Sequence, residues 1–249
     1  MRIKKLQEKT KVLILELARK GFKFQLDRFP TIISNDCFGG EVYQSLGIPY
    51  NSPFIGLMLM APCYINLLKN LDHYMSQDLV FIRKSKYKKI NKVQSKIGQF
   101  PIATIGGDVE IQFLHYHSEQ EAYEKWTKRK ERIDKENLFV KFDYSKDFAN
   151  ERLLNDFLSL GFMRFLAIGS TQNRAVIFDN NRIDFPKYAT DASVLFRISL
   201  RYIDYEGLFK ANRVEKPSFF KGLFLSKFLN NSWGNEISTN EKIDVPAKK

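Results

Sequence analysis

Apolar and polar positions follow two periods along this chain, and the switches between them set the expected elements. Residues 3–19 place Ile3, Leu6, Val12, Leu13, Leu17 and Ala18 at roughly helical spacing, and Gly21 follows as a stop. Thr31–Ser34 reads as a first strand and the apolar run Phe54–Met60 as a second, with Pro62 placed to open a helix through Leu68. Leu79–Ile82 follows as a third strand. Gln99–Ile105 and Val109–Tyr116 flank a Gly106-Gly107-Asp108 turn, the pattern of a hairpin. Helices are predicted over Glu119–Lys135, Asp147–Leu160 and Ala192–Ile203, and strands at Leu138–Phe142, Met163–Ile168 and Ala175–Phe178. Strands alternating with helices predict an α/β sheet, mixed because of the hairpin.

Two stretches interrupt this pattern. Arg83, Lys84, Lys86, Lys88, Lys89, Lys92 and Lys96 follow one another with no intervening acid, which reads as a solvated loop. Beyond residue 212, Lys216-Pro217 breaks the chain and SFFKGLFLSKFL follows, with Phe220, Leu223, Phe224 and Phe228 on one helical face. The expected organisation is one α/β unit over 1–211, then a basic amphipathic segment and a polar, disordered tail over 212–249. Residues 217–229 are expected to lie on an anionic membrane surface, or to dock on the protein's own core or a second subunit.

Composition narrows the class. The 249 residues are 44% hydrophobic, enough for a sizeable core, yet no run approaches the ~20 apolar residues that span a bilayer. The N-terminus carries charges throughout and has no small-residue cleavage site, so it is not read as a secretory signal. Two cysteines make no disulfide framework, and a reducing cytoplasm is expected, with the tail placing the protein peripherally on the inner membrane face. The net charge of +12 suits phosphorylated substrates, an anionic membrane face or nucleic acid. No nucleic-acid motif accompanies the lysines, so specific nucleic-acid binding ranks below the other two.

Candidate chemistry gathers at turns. Asn35, Asp36 and Cys37 stand where the first strand becomes a Gly39-Gly40 turn; such residues either form the turn or contact a ligand at a strand's carboxyl end. Neither a Walker A nor a dinucleotide glycine motif is present. Cys37 would act as a nucleophile only with a base, and among His73, His115 and His117 the sequence singles out none. Asp108 and Glu110, two apart, would share a strand face, with His115 and His117 on the other parity; a His-x-His metal pair lacks a third ligand. In the helix from Glu119, Arg129 shares the apolar stripe with Ala122, Trp126 and Ile133. A cation there needs an anion, either Asp108 or Glu110 or a substrate group.

Ile33–Gly40, Tyr50–Phe54, Pro101-Ile102, Gly107–Ile111, Phe113–Tyr116, and Lys125-Trp126 with Arg129, Arg132 and Ile133 resemble a family of uncharacterised bacterial proteins associated with exopolysaccharide and capsule biosynthesis. The resemblance covers about residues 28–205, and Phe38 stands where that family more often has Trp. It implies a cytoplasmic, three-layer α/β/α protein with a mixed, mainly parallel sheet and a link to surface-glycan assembly, without a mechanism. The expected function is a glycosyltransferase-like or acyl transfer onto a sugar from a nucleotide-sugar or lipid-linked glycan precursor. The alternative is a non-catalytic glycan- or lipid-binding accessory protein. Asp108, Glu110 and His115 are the catalytic candidates. Asn35, Asp36, Gly39, Gly40, Ser52, Trp126, Arg129 and Arg132 are the substrate-binding candidates. Asp108 or Glu110 would serve as general base or hold a divalent cation, and no residue is assigned as a metal ligand.

Overall fold

The computed structural model of the chain describes residues 26–46, 48–172, 176–186 and 192–218. The element order is β1 (Thr31–Ser34), α1 (Phe38–Leu46), α2 (Ala61–Lys69), α3 (Leu71–Ser76), β2 (Leu79–Phe81), α4 (Lys88–Ile97), β3 (Ile102–Ile105) and β4 (Val109–Gln112). It continues with α5 (Glu119–Lys130), β5 (Leu138–Asp143), α6 (Glu151–Ser159), β6 (Phe165–Thr171), β7 (Ile177–Asp179), β8 (Arg182–Pro186), α7 (Ala192–Ser199) and α8 (Tyr205–Ala211).

The main sheet has the order β1-β5-β6-β8-β7. β1, β5, β6 and β8 are mutually parallel, and β7 adds an antiparallel edge. Alternation along the strands feeds two cores. Ile33, Val140 and Phe142 face Tyr64, Phe157 and Trp126 on one side. Ile32, Phe139, Leu166, Ile168 and Ile183 face Phe38, Val42, Phe196 and Leu208 on the other. Each such side chain, fully buried, contributes ~1.5–3 kcal/mol, which fixes the strand register. Helices on both faces make the three-layer α/β/α arrangement. β2, β3 and β4 form a second, antiparallel sheet whose Ile105, Val109, Ile111 and Phe113 join the first core.

Several expected boundaries differ. Phe54–Met60 is core without being strand: Phe54, Leu57, Leu59 and Met60 are fully buried, and the segment runs past β1 with Leu59 N–H bonding the Asn35 carbonyl at 3.0 Å. Among the described residues its strand-type pairing is limited to the Met58–Gln112 bridge, because Pro53 lacks a donor and Gly56 sits at φ 69°. The basic run is not a loop throughout. Lys88–Ile97 is helix α4, since Tyr87, Ile90, Val93 and Gln94 recur at helical spacing and dock on Met60 and Phe100. The hairpin belongs to the second sheet, and β4 stops at Gln112, so His115 and His117 have no strand parity. α5 ends at Lys130 rather than 135. α6 starts at Glu151, behind an Asn150 cap, because Asp147 and Phe148 stand at φ 58° and 66°. α1, α3, β8 and α8 have no counterpart in the expected elements, α1 takes up the expected Gly39-Gly40 turn, and the expected helix over 3–19 lies outside the described residues.

Candidate functional site

β1 and β5 end side by side, and their carboxyl ends hold a buried ionic group. Ser34, the last residue of β1, donates through its hydroxyl to the Asp36 carbonyl at 2.8 Å and accepts the Gly39 amide at 3.3 Å, turning the chain into α1. Asp36 Oδ1 accepts the Phe38 amide at 3.2 Å, while Oδ2 pairs with Lys141 Nζ at 2.7 Å. Lys141 lies in β5, fully buried, with its ammonium 5.3 Å from the centre of the Phe38 ring. Lys146 completes the group, 3.2 Å from Asp143 and 3.8 Å from Asp36. Two carboxylates and two ammonium groups thus balance.

Burial pushes the Asp143 carboxyl up, but the ammonium groups of Lys141 and Lys146 and the Ser145 donors outweigh it and hold it below the ordinary carboxylate range. Burial likewise opposes the charge of Lys146, and Asp36, Asp143 and Asp147 outweigh that, raising its pKa. A further pair anchors the loop after β5: Lys89 of α4 reaches Asp147 at 2.7 Å, and the exposed Phe148 ring stacks on Tyr87 at 5.3 Å. The helix hidden in the basic run thereby forms a wall beside the carboxyl edge of the sheet.

At the start of α1, Cys37 Sγ lies 3.4 Å from His115 Nε2. Its carbonyl accepts the Glu41 amide at 3.2 Å, which makes Cys37 the residue that opens the helix. His115 is brought there by the loop after β4, where its amide bonds the Gly56 carbonyl at 3.0 Å. A Cβ on Gly56 would come within 3.2 Å of the His115 Cβ at a backbone φ of 69°, so the approach needs glycine.

The other predicted residues divide by location. Asn35 and Asp36 belong to the carboxyl edge, with Gly39 packed on Ile32 and Gly40 facing Ile55. Ser52 is fully buried, its hydroxyl donating to the Ile32 carbonyl at 2.6 Å, so it fastens the loop to β1. Trp126 is 1% exposed and packs edge-on against Phe54 and Phe113. Asp108 stands in the β3–β4 turn, accepting from Asn66 at 2.6 Å and from the Tyr74 hydroxyl at 2.9 Å. Glu110 is buried against the 83–87 segment, accepting from the Ser85 hydroxyl, the Lys86 amide at 2.8 Å and Gln112 at 2.7 Å. These contacts organise Asp108 around α2 and α3, and Glu110 around the segment that leads into α4.

Arg129 is 5% exposed. Its Nη1 donates to the Tyr116 hydroxyl at 2.7 Å, and its guanidinium covers the Tyr50 ring at 5.0 Å. Arg132 donates to the Tyr50 carbonyl at 3.1 Å. Neither Asp108 nor Glu110 pairs with Arg129, and among the described residues no carboxylate does. Nearby, Gln112 Oε1 and Trp126 Nε1 are fully buried side-chain polar atoms without a partner among the described residues.

Lys141, Asp143 and Lys146 were not among the expected site residues. A signal existed: LFVKFD places a lysine inside a central parallel strand, where continuous apolar residues are the rule. Such a lysine must find carboxylates. Among the described residues no three His, Cys, Asp or Glu side chains gather as a metal site. A cleft of 320 Å³ between α2 and α6, lined by Pro62, Ile65, Asn66, Lys69 and Asp156, includes neither Cys37 nor Arg129.

Residues 9–173 match a family described as a domain of unknown function, DUF1919. The chain belongs to the DUF1919 family. An uncharacterized protein of Haemophilus influenzae is 36% identical over 132 residues, which are 53% of this chain and 57% of that protein. The match thus spans little more than half of the relative's length. The matched region contains Cys37, His115, Arg129 and the Asp36–Lys146 group. Among the described residues no helix is long and apolar enough to cross a membrane, and the expected amphipathic helix over 217–229 lies almost wholly outside them.

Proposed function

We propose that this protein is a transferase of bacterial surface-polysaccharide assembly, moving a glycosyl or acyl group from an anionic activated donor onto a sugar. The observation that carries the reading is Arg129: a guanidinium 5% exposed, held by two tyrosines, with no carboxylate paired to it among the described residues. An uncompensated buried charge is costly, and an arriving phosphate or carboxylate would relieve that cost through a forked, charge-assisted contact. The net charge of +12 supports a polyanionic donor. The carboxyl ends of parallel strands, where Asn35 and Asp36 stand, are where open α/β sheets bind ligands.

Thermal unfolding of wild type and Arg129→Met with a panel of nucleotide sugars and phosphate-bearing acyl thioesters tests the reading. A donor at ~100 times its Kd adds ~2.7 kcal/mol, a rise of several degrees in wild type. Arg129→Met should lose that rise while its unliganded stability stays level or increases, because the replaced charge had no counter-ion. Stabilisation by finished glycan alone would favour a non-catalytic accessory protein. A large loss of unliganded stability in Arg129→Met would make the arginine structural.

A further inference from the structure

We infer that Cys37 and His115 form a nucleophile–base pair on which the transferred group is carried as a thioester, which makes that group an acyl group. The inference rests on the transferase reading for its donor but not for its nucleophile.

Three features of the fold support the pair. Cys37 opens α1, a helix of nine residues, so its sulfur stands where the helix N-terminus favours negative charge. His115 Nε2, 3.4 Å from that sulfur, comes from 78 positions away and depends on Gly56 for its approach. Both side chains reach solvent: Cys37 is partly exposed and His115 exposed. Cys63 is the internal contrast, 3% exposed, with its sulfur engaged by the Tyr87 hydroxyl at 3.2 Å and the Glu110 amide at 3.3 Å. Of the charged neighbours, Glu41 in the first turn of α1 opposes a thiolate, whereas the two carboxylates at the strand ends are paired. Asp36, next in the chain, is neutralised by Lys141 and Lys146, and Asp143 by the same two cations.

The chemistry closes without an oxidant or a metal. The Cys37 thiolate attacks the carbonyl carbon of an acyl thioester whose carrier bears phosphate. The new carbon–sulfur bond forms as the donor's breaks, and the departing thiolate takes the proton of the His115 imidazolium. A sugar hydroxyl then attacks the Cys37 thioester. Its oxygen bonds the carbonyl carbon, its proton passes to His115 Nε2, and the Cys37 thiolate leaves, restoring the pair.

Alkylation of the full-length protein by iodoacetamide, followed by peptide mass spectrometry, tests the pair without any substrate. Cys37 should react at about pH 6 roughly tenfold faster than in His115→Gln, with the two converging near pH 9, above the ordinary thiol range. Cys63 should stay unlabelled in both, which shows that the variant is folded. Incubation with p-nitrophenyl acetate, which needs no donor site, should leave a hydroxylamine-labile acetyl group on Cys37 and none in Cys37→Ser. Equal alkylation in wild type and His115→Gln at low pH overturns the pair. Histidine-dependent alkylation without an acetyl adduct overturns the acyl step. Either result leaves donor binding at Arg129 standing on its own test.

Discussion

The Asn35 side chain closes a ring with the main chain of Asp143, donating from Nδ2 to its carbonyl at 3.0 Å and accepting its amide on Oδ1 at 2.8 Å. This pairing continues the β1–β5 ladder one step past the end of β1 and sets the carboxyl edge on which Asp36 and Cys37 stand. Asn35→Ala would leave two buried backbone groups unpaired, costing about 2–4 kcal/mol in urea unfolding. Asn35→Asp would face a carboxylate toward the Asp143 carbonyl and should cost at least as much. A loss under about 1 kcal/mol in both would show that the ring does not hold the edge.

The Asp36–Lys141 pair is buried from both sides, with side-chain exposures of 5% and 0%. Lys141→Met should destabilise by about 3–5 kcal/mol, because Asp36 and Asp143 would be left with Lys146 alone. The double variant Asp36→Asn with Lys141→Met should recover part of that loss. A double-mutant cycle with no coupling would contradict the geometry.

The same group makes stability depend on pH at both ends of the range. Asp143 is lowered by its neighbours, so its contribution is complete above the unfolded carboxylate range and is lost as pH falls below about 4. Lys146 is raised, so its contribution is complete below about pH 10.4 and is lost as pH climbs above that. Urea midpoints should stay level with respect to these two groups from about pH 5 to 9. In Asp143→Asn the acid limb should flatten; an unchanged acid limb in that variant would remove Asp143 from the account.

Gly169 of β6 sits under a polar network. A Cβ there would run into Asp184 Oδ1 and the Tyr144 ring. Tyr144 donates to Asp184 and accepts from Arg182 at 2.6 Å, so Gly169→Ala must displace a bonded group rather than one free side chain. The expected loss is about 1–3 kcal/mol, read from the thermal midpoint. A midpoint within error of wild type would show that the network swings aside freely.

Glu110 separates a structural from a catalytic role. Its oxygens bind the Ser85 hydroxyl and the Lys86 amide, so Glu110→Ala should lower stability by about 2–3 kcal/mol and open the 83–87 segment to proteolysis. Loss of activity with full stability and protease resistance would return Glu110 to the catalytic candidates.

The expected α/β class follows from local periodicity, which needs no tertiary information. Thr31–Ser34 and Leu138–Asp143 are strands because their β-branched and aromatic residues fill both faces of a central sheet, and the pattern shows it. Helix α4 is hidden in the sequence because its four lysines, continuing the basic run from Arg83, outweigh the sparse apolar stripe of Tyr87, Ile90 and Val93, and docking on Met60 and Phe100 decides its state. Phe54–Met60 misled in the opposite sense: an apolar run signals burial, while strand formation requires a partner edge that Pro53 and Gly56 deny.

The candidate site divides the same way. Asn35, Asp36 and Cys37 were legible as a polar turn at a strand's end, and Arg129 as a cation on an apolar stripe, because each is a local departure from pattern. Their partners were not. Lys141 meets Asp36 across 105 positions, and His115 meets Cys37 across 78, through contacts that chain separation does not encode. Periodicity fixes which face a residue presents; only the packing of β1 on β5, and of the His115 loop on Gly56, decides which charges and nucleophiles share that face.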